Sequence, residues 1–382
     1  MILIWIVLGA LVLYKLQDEL YRRYWDKDLF VTMEFSEESA TEGDKCELQE
    51  LVENDKFLSL PALKVKFQVS RWLQFENMDK GSSVTDQYYR NDVLSIKPYM
   101  RHVRRLPFLC KKRGYYTING LDMVAGNLFL SVEWPKSVDS QTRLYVYPRP
   151  FDSQEFLQAL QRMTGEVLCR RHLQEDPFEY RGIREYSFRD SMRDINWKAT
   201  ARTDELKVNQ KNYTALQAVR LFLNLEDGAL MRQVELLEDS IRMAAGAAQQ
   251  FLGQGIRTAL YTNGPDLLSG ELISLEAASG AGHMESVNKS LARIDLDGQI
   301  PAFVQTFGDV VKGEDGNSGE VYSVFFSSDG QEDFQQLLCE CLQSRMDFLW
   351  ICPVLPRMEP KIRPELEPYT ILIQGRRTWN DD

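Results

Sequence analysis

The stretch VRLFLNLEDGALMRQVELLEDSIRMAAGAAQQFLGQGIRTALYT, residues 219–262, reads as strand, helix, strand. Val219 to Leu225 is a short and almost unbroken apolar run, the pattern of a strand covered on both faces. Residues 229–252 change period: Leu236, Leu237, Ile241, Ala244, Ala248 and Leu252 recur three or four apart, on one helical face. Gly255 to Thr262 returns to an apolar run. A long helix between two buried strands makes a parallel pair, because only such a crossover returns the chain to the same end of a sheet.

The alternation continues downstream. A helix is predicted over 284–294 with Val287, Leu291 and Ile294 inward, a strand over 320–328, a helix over 331–344 and a strand over 347–354. A stretch punctuated by Pro353, Pro356, Pro360, Pro364 and Pro368 leads to a last strand at 369–373. Residues 217–382 therefore read as a doubly wound α/β layer with a mostly parallel sheet.

Upstream the period is two. Leu29, Val31, Met33 and Phe35 alternate with more polar neighbours, as do Leu63, Val65, Phe67 and Val69. Further strands are predicted at 44–52, 93–96, 99–110, 115–123, 128–134 and 144–147, separated by Gly- and Asn-containing turns. Residues 28–150 read as a β-sandwich-like domain. Residues 151–216 connect the two, beginning with a helix over 152–170 whose stripe is Phe156, Leu157, Leu160, Met163, Val167 and Leu168. The fold class expected is thus α/β plus all-β, and 382 residues suit two domains.

The first fourteen residues, MILIWIVLGALVLY, carry no charge. As a helix they reach about 21 Å, short of a hydrocarbon core of about 30 Å. A signal peptide needs a positive leading region and a small-residue cleavage site, and neither is present. A buried core helix apolar on every side is unusual at a terminus. The expectation is a membrane anchor over 1–16, with Trp5 and Tyr14 at the two interfaces and Lys15 snorkelling. Lys15, Arg22, Arg23 and Lys27 all follow the run, which predicts a single-pass protein with its bulk in the cytoplasm.

With 45 Lys and Arg against 56 Asp and Glu, the net charge of −11 argues against a nucleic-acid partner. Against that background Lys97, Arg101, Arg104, Arg105, Lys111, Lys112 and Arg113 form a basic stretch without an acid. It reads either as solvated strand faces that blunt a sheet edge or as a contact for anionic lipid. Three histidines, His102, His172 and His283, lie far apart, which disfavours a His-built centre. The six cysteines form no C-x-x-C pair and read as reduced structural thiols. No phosphate-binding loop, dinucleotide fingerprint or nucleophile elbow occurs, so the expectation is no enzyme and no cofactor.

The densest unusual chemistry is REYSFRDSMRDINWKATARTDELKV, residues 184–208. Arg, Trp and Tyr interleaved with acids make either an inter-element brace, with guanidiniums bridging carboxylates, or a partner-recognition surface. Its elements are Arg184, Tyr186, Asp190, Arg193, Ile195-Asn196-Trp197-Lys198 and Ala201-Arg202, then the short strand Leu206-Lys207-Val208. This pattern resembles the signature of the "domain of unknown function 58" family, and with Arg113-Gly114-Tyr115 and Leu144–Pro148 the resemblance covers nearly the whole chain. It implies an N-terminal membrane segment, a β-rich domain and a von Willebrand factor A-like α/β domain. It also implies a protein partner, a MoxR-type AAA+ ATPase, and no assigned enzymatic activity.

Three positions depart from the family pattern. One apolar N-terminal segment stands where a pair is common, and the usual Pro-Gly-Asp turn reads Phe188-Arg189-Asp190. A von Willebrand A-like domain can hold a divalent cation through Asp-x-Ser-x-Ser and a later Asp. Here the first element reads Asn224-Leu225-Glu226-Asp227-Gly228, and the later Asp is Asp329. The expectation is no metal. The alternative is a weak ion site at Asn224, Glu226 and Asp329, serving a metal-dependent enzyme or ligand binder.

Overall fold

In the computed structural model the period-two stretches become paired strands, and the apolar runs beyond 217 become the centre of a single sheet. The structure describes residues 2–75, 83–84, 87–173, 175–187, 192, 195–203, 205–213, 218–228, 232–312, 321–356 and 360–375. The chain divides into two units, Met1–Arg149 and Pro150–Asp382.

The first unit opens with helix α1 (Ile2–Tyr24), followed by β1 (Leu29–Phe35), β2 (Ser39–Thr41), β3 (Lys45–Asn54), β4 (Leu60–Ser70), β5 (Leu73–Phe75) and β6 (Ser83–Val84). Then come β7 (Gln87–Ile96), β8 (Met100–Cys110), β9 (Gly114–Ile118), β10 (Leu121–Gly126), β11 (Glu133–Val138) and β12 (Thr142–Tyr147). One sheet has the order β1-β3-β8-β5 and a second β11-β10-β4-β7-β6, with a small third sheet β2-β12-β9. Leu48, Val52 and Phe108 from the first sheet share one core with Val65, Phe67 and Met123 from the second, so the two pack face to face as a sandwich. The run predicted as one strand at 115–123 is split into β9 and β10, because Asn119-Gly120 turns the chain. Residues 127–132 are not strand but the turn leading into β11.

The registers Asn54↔Met100, Leu60↔Ile96 and Ala125↔Leu63 put three turns, 55–59, 97–99 and 127–132, at one end of the sandwich. α1 leaves from that same end. Its second half is docked: Tyr21, and Trp25 just past the helix end, are core residues, and the Tyr21 hydroxyl donates to the Ser59 carbonyl at 2.8 Å. Its first half is bare, with Leu3, Ile4, Trp5, Ile6, Val7, Leu8, Leu11, Val12, Leu13 and Leu16 all exposed. Among the described residues, no helix is long and apolar enough to cross a membrane. Lys15, Asp18 and Glu19 end the apolar part of α1 well before its last turn.

The second unit holds α2 (Gln154–Leu173), β13 (Glu175–Glu185), α3 (Trp197–Thr203) and β14 (Lys207–Tyr213). It continues with β15 (Ala218–Leu223), α4 (Val234–Gly253), β16 (Arg257–Pro265), β17 (Leu272–Ala278), α5 (Ala281–Arg293), α6 (Phe303–Lys312), β18 (Val321–Phe326), α7 (Glu332–Gln343), β19 (Phe348–Val354) and β20 (Thr370–Gln374). β13 and β14 form an antiparallel hairpin. The main sheet has the order β17-β16-β15-β18-β19-β20, parallel throughout except for β17 at the edge. Counted along the chain, that is 3-2-1-4-5-6, a doubly wound layer.

Both faces are covered. Val219, Leu221 and Leu223 point to a core shared with Leu237, Ile241 and Ala244 of α4 and with Phe156, Leu160 and Met163 of α2. Phe222 points the other way, to Phe303 and Phe307 of α6 and Phe334 of α7. It stacks between Tyr261 at 5.2 Å and Phe325 at 5.0 Å, tying β16, β15 and β18 through one aromatic row. In α2, Leu157 is exposed, off the predicted stripe, and the Val167 and Leu168 side chains lie outside the described residues. Cys46, Cys110, Cys339, Cys341 and Cys352 are free, buried thiols, and the Cys169 side chain lies outside the described residues.

Candidate functional site

A 3-2-1-4-5-6 sheet reverses its winding between its first and fourth strands, here β15 and β18, and a ligand would sit beyond their carboxyl ends. Asn224 follows β15 and Ser327 follows β18. The Asn224 Nδ2 donates to Ser327 Oγ at 3.1 Å, closing the crevice directly across the reversal. Asn224 Oδ1 accepts from the Glu226 amide at 2.9 Å and from Asn263 Nδ2 at 3.2 Å. Asn263, at the end of the neighbouring β16, completes the ring by accepting from the Leu225 amide at 2.9 Å and donating to the Pro301 carbonyl at 2.9 Å. All three amide and hydroxyl side chains are fully buried.

The carboxylates around this ring are each committed to a helix start. Glu226 Oε2 accepts from the amide of Phe303, the first residue of α6, at 3.0 Å. Asp227 Oδ2 accepts from the Gln233 amide, at the N-cap of α4, at 2.5 Å. Asp329 Oδ1 accepts from the Gln331 amide, at the N-cap of α7, at 3.0 Å. Three helix N-termini thus point at one crevice, and each already has an anionic side chain satisfying a free N–H and facing the positive end of the dipole.

Asn224, Glu226 and Asp329 do come together, as their sequence positions predicted. Asp329 is almost wholly buried, and its carboxyl is pushed up to about 6, chiefly by burial, with the Gln331 amide lowering it and the Glu226 charge raising it. Their oxygens are already partly committed within the protein. Asn224 Oδ1 is occupied by two N–H donors and Glu226 Oε2 by one, while Mg²⁺ or Ca²⁺ needs oxygens free to turn inward. Among the described residues, no group of three or more His, Cys, Asp or Glu side chains is arranged to hold a metal ion. Asn263 and Asp227 join the site without belonging to the cation pattern. The rule that finds Asn224, position at a strand's carboxyl end, finds them too.

The signature segment folds around the β13–β14 hairpin. The Asn196 amide donates to the Lys207 carbonyl at 2.8 Å and its Nδ2 to Asn209 Oδ1 at 2.7 Å. Asn196 Oδ1 accepts from the Ala199 amide at 3.0 Å, which makes Asn196 the N-cap of α3. The Tyr186 amide donates to the Leu206 carbonyl at 2.9 Å, and Arg184 Nη1 to the Glu185 carbonyl at 2.9 Å. α3 buries none of its residues. Trp197, in its first turn, is 64% exposed, and Lys198 and Arg202 are exposed beside it. Ile183, Met192 and Leu206 are exposed apolar residues of the same segment. Asp190 and Arg193 lie outside the described residues. The Trp197 side chain is displayed rather than packed.

The basic stretch is not one surface. Lys97 lies at the end of the sandwich where α1 leaves, while Lys111, Lys112 and Arg113 follow the far end of β8, eleven residues or about 36 Å away. Arg113 is buried, Lys112 lies over the Trp72 ring at 5.1 Å, and Arg104 pairs with Asp92 at 3.1 Å. Arg105 approaches Glu47 at 4.0 Å, and Arg101 is exposed. Seven cations spread along a strand cannot meet one lipid plane together.

No protein-family model and no curated protein matches the chain. Among solved structures, it is similar to a CARDB domain from Pyrococcus furiosus in complex with di-metal ions, at 14% identity and a TM-score of 0.21, over 31% of this chain and 94% of that one. It is similar to a PapD-like domain of human CEP192 at 14% identity and a TM-score of 0.18, over 31% of this chain and 86% of that one. A non-cellulosomal cohesin from Archaeoglobus fulgidus matches at 12% identity and a TM-score of 0.21, over 34% of this chain and 96% of that one. Likeness of that degree carries no functional inference.

Proposed function

We propose that this protein is a membrane-tethered, non-enzymatic interaction protein that presents a von Willebrand factor A-like domain to a cytoplasmic protein partner. The observation that carries the reading is α1. Its second half is fixed to the sandwich core through Tyr21, with Trp25 just past its end, while the apolar first half stands uncovered on every side. Water does not tolerate a bare apolar helix of this kind, and a bilayer does. The charged residues that follow the run then leave the two units on the cytoplasmic face.

The von Willebrand A-like reading is supported by the 3-2-1-4-5-6 order with an antiparallel strand at the edge. The absence of a reaction is supported by a crevice whose amides and carboxylates are spent on one another and on helix starts. The partner surface is the α3 segment, because it displays an exposed Trp with exposed Lys198 and Arg202 on a helix that buries none of its residues, the composition of an interface anchor. A MoxR-type AAA+ ATPase is the partner class that the family resemblance implies.

The test is a photo-crosslinking amino acid placed at position 198, next to Trp197, of the full chain in native membranes. A stoichiometric adduct with a MoxR-type ATPase is expected. Recovery of uncrosslinked protein, or of adducts without an ATPase, sinks the partner assignment.

A further inference from the structure

We infer that the end of the sandwich from which α1 emerges is itself a membrane-docking face, and that the turn tip Leu128-Phe129-Leu130 enters the bilayer beside α1. The inference rests on the tether reading above and adds to it how the first unit is held against the lipid.

Turn tips in water are normally polar. Here Leu128, Phe129 and Leu130 are three consecutive apolar residues, all more than half exposed, at the tip of a β10–β11 turn. The two other turns at this end of the sandwich carry Phe57 and Tyr99, 58% and 70% exposed.

The 128–130 tip is also held in place. Asn127 Nδ2 donates to Asp18 Oδ1 of α1 at 3.1 Å and to Ser131 Oγ at 2.8 Å, and Asn127 Oδ1 accepts from the Ser131 amide at 2.9 Å. Ser131 Oγ also hydrogen-bonds the Tyr14 hydroxyl at 2.7 Å, and the Tyr14 and Phe129 rings lie 5.7 Å apart. Leu130 adopts φ +53°, a left-handed conformation that a leucine rarely takes, kept by its amide donating to the Asn127 carbonyl at 3.0 Å. The backbone is bent against its preference so that apolar side chains face outward.

The depths agree. Tyr14 is the last residue of the uncharged run and is followed by Lys15, so it marks the interface when the preceding residues lie in hydrocarbon. Phe129 packs on Tyr14 and therefore sits at that level. The 55–59 turn is held at Tyr21, seven residues or about 10 Å further along α1. Asn54 Nδ2 clips it to the 97–99 turn by donating to both the Leu58 and Lys97 carbonyls at 2.9 Å. Phe57, Lys97 and Tyr99 thus come at head-group depth, where aromatic rings and a cation are both suited.

Lipid is the occupant because of what surrounds the tip. A protein partner covers one face of a helix, whereas the first half of α1 is apolar and bare all round. The tip is continuous with that surface through the Tyr14–Phe129 contact.

The test uses the full chain reconstituted with vesicles of phosphatidylcholine and phosphatidylglycerol in a 3:1 ratio. Phe129→Cys and, at the opposite end of the sandwich, Asp139→Cys are each labelled with an environment-sensitive fluorophore, and unsubstituted protein supplies the background. Flotation with the vesicles reads the tether separately. Expected are co-flotation, a several-fold gain in emission at 129 with quenching by nitroxide carried on the lipid acyl chains, and no change at 139. Co-flotation with a label at 129 that stays water-exposed overturns the docking face and leaves the tether standing. Failure to float at all overturns both.

Discussion

Glu50 offers the sharpest test of the first unit. It lies on the inner face of β3 between the fully buried Leu48 and Val52, opposite Arg104 on β8. Neither of its carboxyl oxygens has a hydrogen-bond partner. The nearby guanidiniums are taken by another acid: Arg90 Nε and Arg104 Nη1 bind Asp92 at 2.9 and 3.1 Å. Burial, and then the Asp92 charge, push the Glu50 carboxyl up from 4.5 to about 7, against the pull of Arg104 and Arg90. The folded state therefore keeps a proton that the unfolded chain has released. It binds more protons across this window, and its stability falls as pH rises through it. At 1.36 kcal/mol per pH unit over about 2.5 units, the loss is about 3 kcal/mol above pH 7. Glu50→Gln removes the ionisation. The variant should match the parent below pH 4.5 and exceed it by up to about 3 kcal/mol at pH 8. Cys46 and Cys110 are buried in this same unit, so their alkylation in graded urea, resolved by mass spectrometry, reports its unfolding alone. Comparing variant and parent at each pH cancels the titration of the thiols. A midpoint difference that does not change with pH, or a variant weaker than the parent at pH 8, refutes the reasoning.

Trp197→Ala should leave the melting temperature within about 1 °C, because an exposed side chain away from any core costs little, while crosslinking to the partner is lost. A fall of several degrees would mean that Trp197 is packed after all. Glu226→Ala should cost about 1 kcal/mol by freeing the first amide of α6, and Glu226→Gln should restore most of it, since an amide oxygen can still accept. Equal losses in both variants would show that the charge, not the cap, matters. Addition of Mg²⁺ or Ca²⁺ to about 5 mM should not raise the melting temperature, as a ligand that binds the folded state would. A reproducible rise of several degrees, abolished by Asp329→Asn, would restore the metal reading.

The layer order and most elements of the second unit are legible in the sequence because their cause is local. β15, β16, β18 and β19 are predominantly apolar runs, and the Leu236, Leu237, Ile241 and Ala244 stripe marks α4 within a few residues. Two elements, β17 and α6, do not announce themselves. β17, LISLEAA, is an edge strand with only Ile273 buried, and its apolar residues follow no regular alternation. α6 is ten residues long with Gly308 inside, and its first amide is capped from 77 residues away by Glu226. Its stripe of Phe303, Phe307 and Val311 is amphipathic; what no local pattern gives is its start, fixed by that distant side chain. In the first unit the same logic holds for Glu50, an acid on the inner face that alternation alone assigns to the core without saying what it does there.

The crevice shows why a sequence match to a cation site is ambiguous even when the residues converge. A strand that ends under a helix N-terminus needs an acceptor for unpaired amides, and a carboxylate one or two residues past the strand supplies it. A divalent cation at the same place needs oxygens from the same residue types. The two uses differ only in where the lone pairs point, and that is set by packing. Asn224 decides between them. With an aspartate there, three acids would crowd Asp329, whose carboxyl burial already pushes up to about 6, and a cation would be the simplest relief. An asparagine lowers the negative charge and brings an Nδ2 donor that Ser327 accepts, so the ring closes without an ion. Asn224→Asp should therefore do what no wild-type condition does. It should lower stability at pH 8 in the absence of metal and make that stability respond to millimolar Mg²⁺. If Asn224→Asp is destabilised and Mg²⁺ has no effect on it, the crevice is a structural junction only, and the reasoning from Asn224 fails.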